Sequence, residues 1–135
     1  MIGQQLAKRG ETKIRVLELV LEQCAQLDAL NADYWDRVWE ERDLGLEGRV
    51  ESWDVRGHRL ATARIKVLCR DGRVLRALDE VNRTGNTLGS YWRSGQRDPI
   101  ELEGRLAQFN TARAEFLAAS AAMVESRSAI ISLGS

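Results

Sequence analysis

Charge changes sign abruptly in the middle of this chain. Residues 28–54 hold nine acids and three bases, whereas residues 56–76 hold seven bases and one acid, and Gly57 sits at the boundary. Folded antiparallel about Gly57, the two blocks bring Asp54 to Arg59, Glu47 to Lys66, Asp43 to Arg70 and Glu40 to Arg73. The same register sets Trp53 against Leu60, Val50 against Ala63, Leu46 against Val67, Val38 against Leu75 and Trp35 against Leu78, with Arg42 opposite Asp71. Two pairs fit badly, Arg37 with Arg76 and Arg49 with Arg64. Trp35, Trp39, Arg42, Leu46, Val50 and Trp53 step by three or four, the spacing of a helix seam. The expectation is an antiparallel helical hairpin over residues 32–55 and 58–83. A β-hairpin competes with it. Arg64-Ile65-Lys66-Val67 alternates, Asp71-Gly72 is a turn dipeptide, and Gly45, Gly48 and Gly72 weaken helices.

Periodicity supplies the other elements. After Gly10, Glu11-Thr12 opens a helix to about Leu30 whose apolar residues, Ile14 to Leu27 and Leu30, cover an arc of roughly 220°. So wide an arc suits a helix central in a bundle or shared with another chain. Asn31 and Asp33 are N-cap residue types for the helix that follows. Residues 84–97, rich in Gly and Ser, read as a loop, and Asp98-Pro99 is a helix start running to about Ile131. Along that last helix Leu102, Phe109, Phe116, Met123 and Ile130 recur every seven residues. Three residues on stand Arg105, Ala112, Ala119 and Ser126, mostly small, a pattern for a close, coiled-coil-like crossing. The expected fold class is all-α: one domain over residues 1–135, an antiparallel bundle of about four helices with a central hairpin around Gly57. The alternative is α+β with a hairpin near Asp71-Gly72.

With 44% apolar and 30% charged residues the chain can build a core rather than stay disordered, and one proline in 135 residues suits long helices. Lys+Arg and Asp+Glu balance at 20 each, so no net charge draws the chain to nucleic acid or membrane. The longest apolar stretch, about Ile14 to Leu21, contains Arg15 and Glu18, and no signal peptide is evident at Met1-Ile2-Gly3-Gln4-Gln5. A cytoplasmic location is expected, with Cys24 and Cys69 as reduced core thiols.

Few residues here carry recognisable chemistry. One histidine, His58, and two distant cysteines give no zinc ligand set, so no metal or other cofactor is expected. No Gly-x-Ser-x-Gly elbow occurs, and Gly85, Gly89 and Gly95 match no phosphate loop. No catalytic residue stands out and the chain reads as a non-enzyme. His58, at the expected hairpin turn, is a solvated or capping residue in one reading and a base in another. Three functions remain. The first is a protein–protein interaction or assembly module, with a protein partner or a homo-oligomer formed through Leu17 and Leu21, and with Trp35, Trp39, Tyr91 and Trp92 as further contact residues. The second is a nucleic-acid-associated regulator with phosphate contacts at Arg59, Lys66, Arg70 and Arg73, disfavoured because the acidic block neutralises them. The third is a small-ligand sensor or enzyme with a pocket between helices, near His58 or the 84–97 segment.

Overall fold

A computed structural model of the chain describes residues 2–133 and, within them, the side chains of residues 8–126. Four helices run in order: α1 (Ile2–Leu44), α2 (Val55–Leu68), α3 (Gly72–Arg93) and α4 (Pro99–Leu133). No strand occurs among the described residues, so the α+β alternative is set aside. At 1.5 Å per residue α1 is about 64 Å long and α2 only about 21 Å.

The chain runs up, down, up and down. Asp28 lies near Arg113 (3.8 Å), the Tyr34 and Phe109 ring centroids are 6.1 Å apart, and Arg42 pairs with Glu103 at 2.6 Å. Residue numbers rise on α1 as they fall on α4, so the two helices are antiparallel. The Arg105 guanidinium donates to the Thr87 carbonyl across the antiparallel α3–α4 pair. α1 packs along α2 and α4, and α3 along α4, whereas α2 and α3 touch only sparsely.

Two adjoining clusters fill the interior. The first joins Val20, Cys24 and Leu27 of α1 to Ala61 and Ile65 of α2, Val74 and Leu78 of α3, and Phe116, Ala119 and Met123 of α4. The second joins Tyr34 and Val38 to Val81, Leu88, Tyr91 and Trp92, and to Leu102, Leu106, Phe109 and Ala112. The seven-residue seam of α4 is buried from Leu102 through Met123, and the Ile130 side chain lies outside the described residues. Both cysteines are buried and neither is in a disulfide. Burial pushes the Cys24 thiol above its ordinary range, which suits a packing role.

The helix boundaries depart from the expected ones in four places, each for a local reason. α1 passes through Gly10 and through Asn31 and Asp33 without a break. Asn31 is buried, and the Asp33 carboxylate accepts from Arg37 one turn on, so neither caps a new helix. The expected turn at Gly57 lies earlier: residues 45–54 reverse the chain, with Gly45 and Gly48 at φ 67° and 73°, a region nearly closed to other residues. Gly57 instead sits in the first turn of α2, its N–H bonded to the N-cap carboxylate of Asp54. Asp71, the supposed hairpin residue, is the N-cap of α3, accepting from the Val74 N–H at 3.0 Å. Finally, residues 84–93 are helix, with only 94–98 left as a connection. Thr84 and Thr87 bond their hydroxyls to carbonyls three and four residues back, so these polar residues fit within the helix. The helix start at Asp98-Pro99 stands where expected, Asp98 Oδ1 accepting from the N–H groups of Ile100 and Glu101.

The expected charge register is also absent. None of the pairs set up about Gly57 is an ion pair among the described residues. Glu40 meets Arg49, Lys66 meets Asp79, and Arg42 meets Asp43 and Glu103. Exposed ion pairs are worth about 0–1 kcal/mol each, too little to fix a register against core packing.

Candidate functional site: the cleft between α2 and α3

Where α2 and α3 diverge they leave a cleft of about 1090 Å³. Its α2 wall is His58, Arg59, Thr62, Ala63 and Lys66, a single stripe at helical spacing. Facing it on α3 stand Val81, Asn82, Gly85, Asn86 and Arg93, again one stripe. Asn31 and Tyr34 of α1 and Phe109 of α4 form the floor, and Trp53, from the connection before α2, closes one end. Two polar links span the walls: Asn82 Nδ2 to the Thr62 hydroxyl at 3.5 Å, and Lys66 to Asp79 at 3.7 Å.

Two glycines let α3 lie close to the aromatic floor, and Gly85 itself lines the cleft. A Cβ on Gly85 would stand 3.2 Å from the Phe109 ring. One on Gly89 would stand 2.7 Å from the Tyr34 hydroxyl and 2.9 Å from Arg93 Nη1. Glycine at these positions lets α3 settle against the aromatic floor. Aromatic rings pack around this floor, Tyr34 edge-on to Trp53 with centroids 4.8 Å apart and Trp53 tilted against His58 at 5.0 Å. The Trp53 indole donates to the Leu30 carbonyl at 2.8 Å, which fixes its ring.

Polar groups converge on this apolar base. The Tyr34 side chain is 5% exposed, and its hydroxyl has no hydrogen-bond partner. Burial raises its pKa above 10.0, with Arg93 pulling partly the other way, so it is a neutral O–H at ordinary pH. Asn82 Oδ1 is likewise buried and without a donor. Burial lowers the His58 pKa below 6.5. On the rim Arg97 stacks 3.6 Å over the Trp92 ring. Glu41 turns its carboxylate to the Val50 N–H and the Trp92 indole.

Several residues singled out in the sequence meet here. His58, Arg59 and Lys66 line the cleft, as do Trp92 and other residues of the former 84–97 loop. His58 is thus a wall residue of α2 rather than part of a turn. Arg70 and Arg73 lie elsewhere, Arg70 bonding the Val67 and Cys69 carbonyls at the end of α2. Leu17 and Leu21 are half-buried against the first core cluster, and Trp35 against the second. Tyr91 and Trp92 are buried, whereas Trp39 is 44% exposed. Tyr34, Thr62 and Asn82 drew no attention in the sequence, and Arg93 only as part of the 84–97 segment. The signal was present as the 82/85/86/89/93 spacing, which becomes meaningful once that segment is helix.

Among the described residues no group of three or more His, Cys, Asp or Glu is placed to hold a metal ion, and no helix is long and apolar enough to cross a membrane. Fold and site together define a class, a four-helix bundle with a lateral cleft. No family model, curated protein or solved structure matches the chain, and the geometry of the cleft carries the functional reading.

Proposed function

We propose that this protein binds a small molecule in the α2–α3 cleft and acts as a ligand-responsive bundle. The observation that carries this reading is the buried Tyr34 hydroxyl, unpartnered beneath a cleft of about 1090 Å³. A buried unpaired hydroxyl costs roughly 1–3 kcal/mol, and a ligand group is the natural means of satisfying it. The cleft is slightly larger than ordinary ligand sites and combines aromatic surface with a few converging polar groups. The fluorophore N-phenyl-1-naphthylamine, which brightens in apolar sites, tests the reading. Its emission should rise saturably with the native chain and fail to rise with Thr62→Trp, which fills the cleft from α2. Equal brightening with both proteins, or none with either, removes the proposal.

A second reading, assembly through α1, has its own support. The described residues of α1 before Val16 are all exposed, and Ile14 and Leu19 are 39% and 46% exposed. A second copy would cover them. Light scattering across a concentration range should then show a dimer that Ile14→Glu with Leu19→Glu dissociates, and a native chain that stays monomeric throughout ends this reading.

A further inference from the structure

Which molecule the cleft takes follows from the groups on its lining, given that the cleft is a binding site. Four basic side chains, Arg59, Lys66, Arg93 and Arg97, line it against two acidic ones, Glu41 and Glu51. These groups are not equally free. Glu41 has both oxygens engaged, Lys66 is shared with Asp79, and Arg97 is stacked on Trp92 while donating to the Trp92 and Gln96 carbonyls. Arg59 and Arg93 have no ion-pair partner among the described residues.

The position of Arg93 matters most. Arg93 and Tyr34 both line the cleft. The Arg93 Nη1 and the Tyr34 hydroxyl approach the same side of Gly89, 2.9 and 2.7 Å from where a Cβ there would stand, which sets them less than about 6 Å apart. Two donors so spaced can be bridged by a single oxygen accepting from both at ordinary hydrogen-bond lengths. An anionic oxygen between them gains one charge-assisted bond and satisfies the buried, unpartnered Tyr34 hydroxyl. A cationic ligand would meet four like charges against two carboxylates, and an uncharged one would leave Arg93 without an ion-pair partner.

The rest of the ligand is set by what surrounds that pair. Trp53 and Phe109 present aromatic surface beside Tyr34, suited to a flat apolar body. Asn82 Oδ1, a buried acceptor with no donor, accommodates an N–H or O–H on the edge of that body. We propose that the ligand is an aromatic acid, a flat ring system carrying a carboxylate or phosphate whose oxygen is held jointly by Arg93 and the Tyr34 hydroxyl.

Titration calorimetry on the full chain tests this with a series sharing one ring: 1-naphthaleneacetate, 1-naphthyl phosphate, 1-naphthaleneacetamide and 1-naphthylmethylamine. At least one acid should bind about tenfold more tightly than the amide, and the cationic amine should be weakest. The order of acetate and phosphate then tells which acid the site prefers. Arg93→Gln and Tyr34→Phe should each erase most of the acid-over-amide preference, and Arg93→Lys should keep part of it. All three should still brighten N-phenyl-1-naphthylamine, which separates a lost anion contact from a lost cleft. If amide or amine binds as tightly as both acids while the fluorophore still fills the cleft, the aromatic-acid assignment is overturned and the binding reading stands. If the fluorophore and all four probes fail, both fall.

Discussion

Tyr34 illustrates how a residue can serve a site at the expense of the fold. Its ring packs in the second core cluster beside Trp53 and Phe109, but its hydroxyl is buried without a partner. Tyr34→Phe keeps the ring and removes the stranded group, so thermal or urea unfolding should show stability unchanged or raised by up to about 1 kcal/mol. A loss greater than that would mean that the hydroxyl is bonded within the folded protein. His58 makes a pH prediction. Burial lowers its folded pKa below the ordinary 6.5, so below pH 6.5 the unfolded chain binds a proton that the folded chain resists. Stability should therefore fall as pH drops from 6.5 toward the lowered folded value and stay level above 6.5. His58→Gln should flatten that slope in urea melts taken across the same window.

At the scale of elements, α2 and α3 each depend on an aspartate at their start, Asp54 and Asp71. Asp71 Oδ1 bonds the Val74 N–H, so Asp71→Ala should cost about 1 kcal/mol in denaturant unfolding, whereas Asp71→Asn should cost little. Gly89→Ala should separate packing from binding. The added methyl would press on the Tyr34 hydroxyl and the Arg93 guanidinium, and calorimetry with the naphthalene acids should register a loss larger than any change in melting temperature. The final helix was legible in the sequence because Asp98, Pro99 and the seven-residue spacing agree on one element. The turn at residues 45–54 was obscured because charge complementarity about Gly57 offered a tidier solution, although exposed ion pairs are too weak to impose it. Residues 84–93 were hidden for a different reason. Gly85 and Gly89 resemble loop residues in composition, but in the bundle they give way to Phe109 and Tyr34 on facing helices, a fact of tertiary packing that local spacing does not contain. The third functional reading put a pocket near His58 or the 84–97 segment, where the cleft lies, but its two walls were not legible, since they come from helices whose ends were misplaced.

Taken whole, the molecule is a frame of three long helices with one short one against it. α1, α3 and α4 contribute to both core clusters, while α2 places Ala61 and Ile65 in the first alone and barely touches α3. Its amides should open at lower free energy than those of α3 and α4, as hydrogen exchange read by mass spectrometry would register. An acid bound in the cleft should slow exchange in α2 and in residues 82–93 together. Uniform protection across all four helices without ligand would contradict this view of α2.

The division of labour on α2 also bears on how such a protein diversifies. Ala61 and Ile65 hold the helix in the core, whereas His58, Arg59, Thr62, Ala63 and Lys66 face the cleft. Instructions for folding and for recognition thus occupy different sides of the same four turns. A library randomised at those five cleft positions should yield mostly folded proteins with altered preferences, because the positions that select the guest are not those that assemble its host.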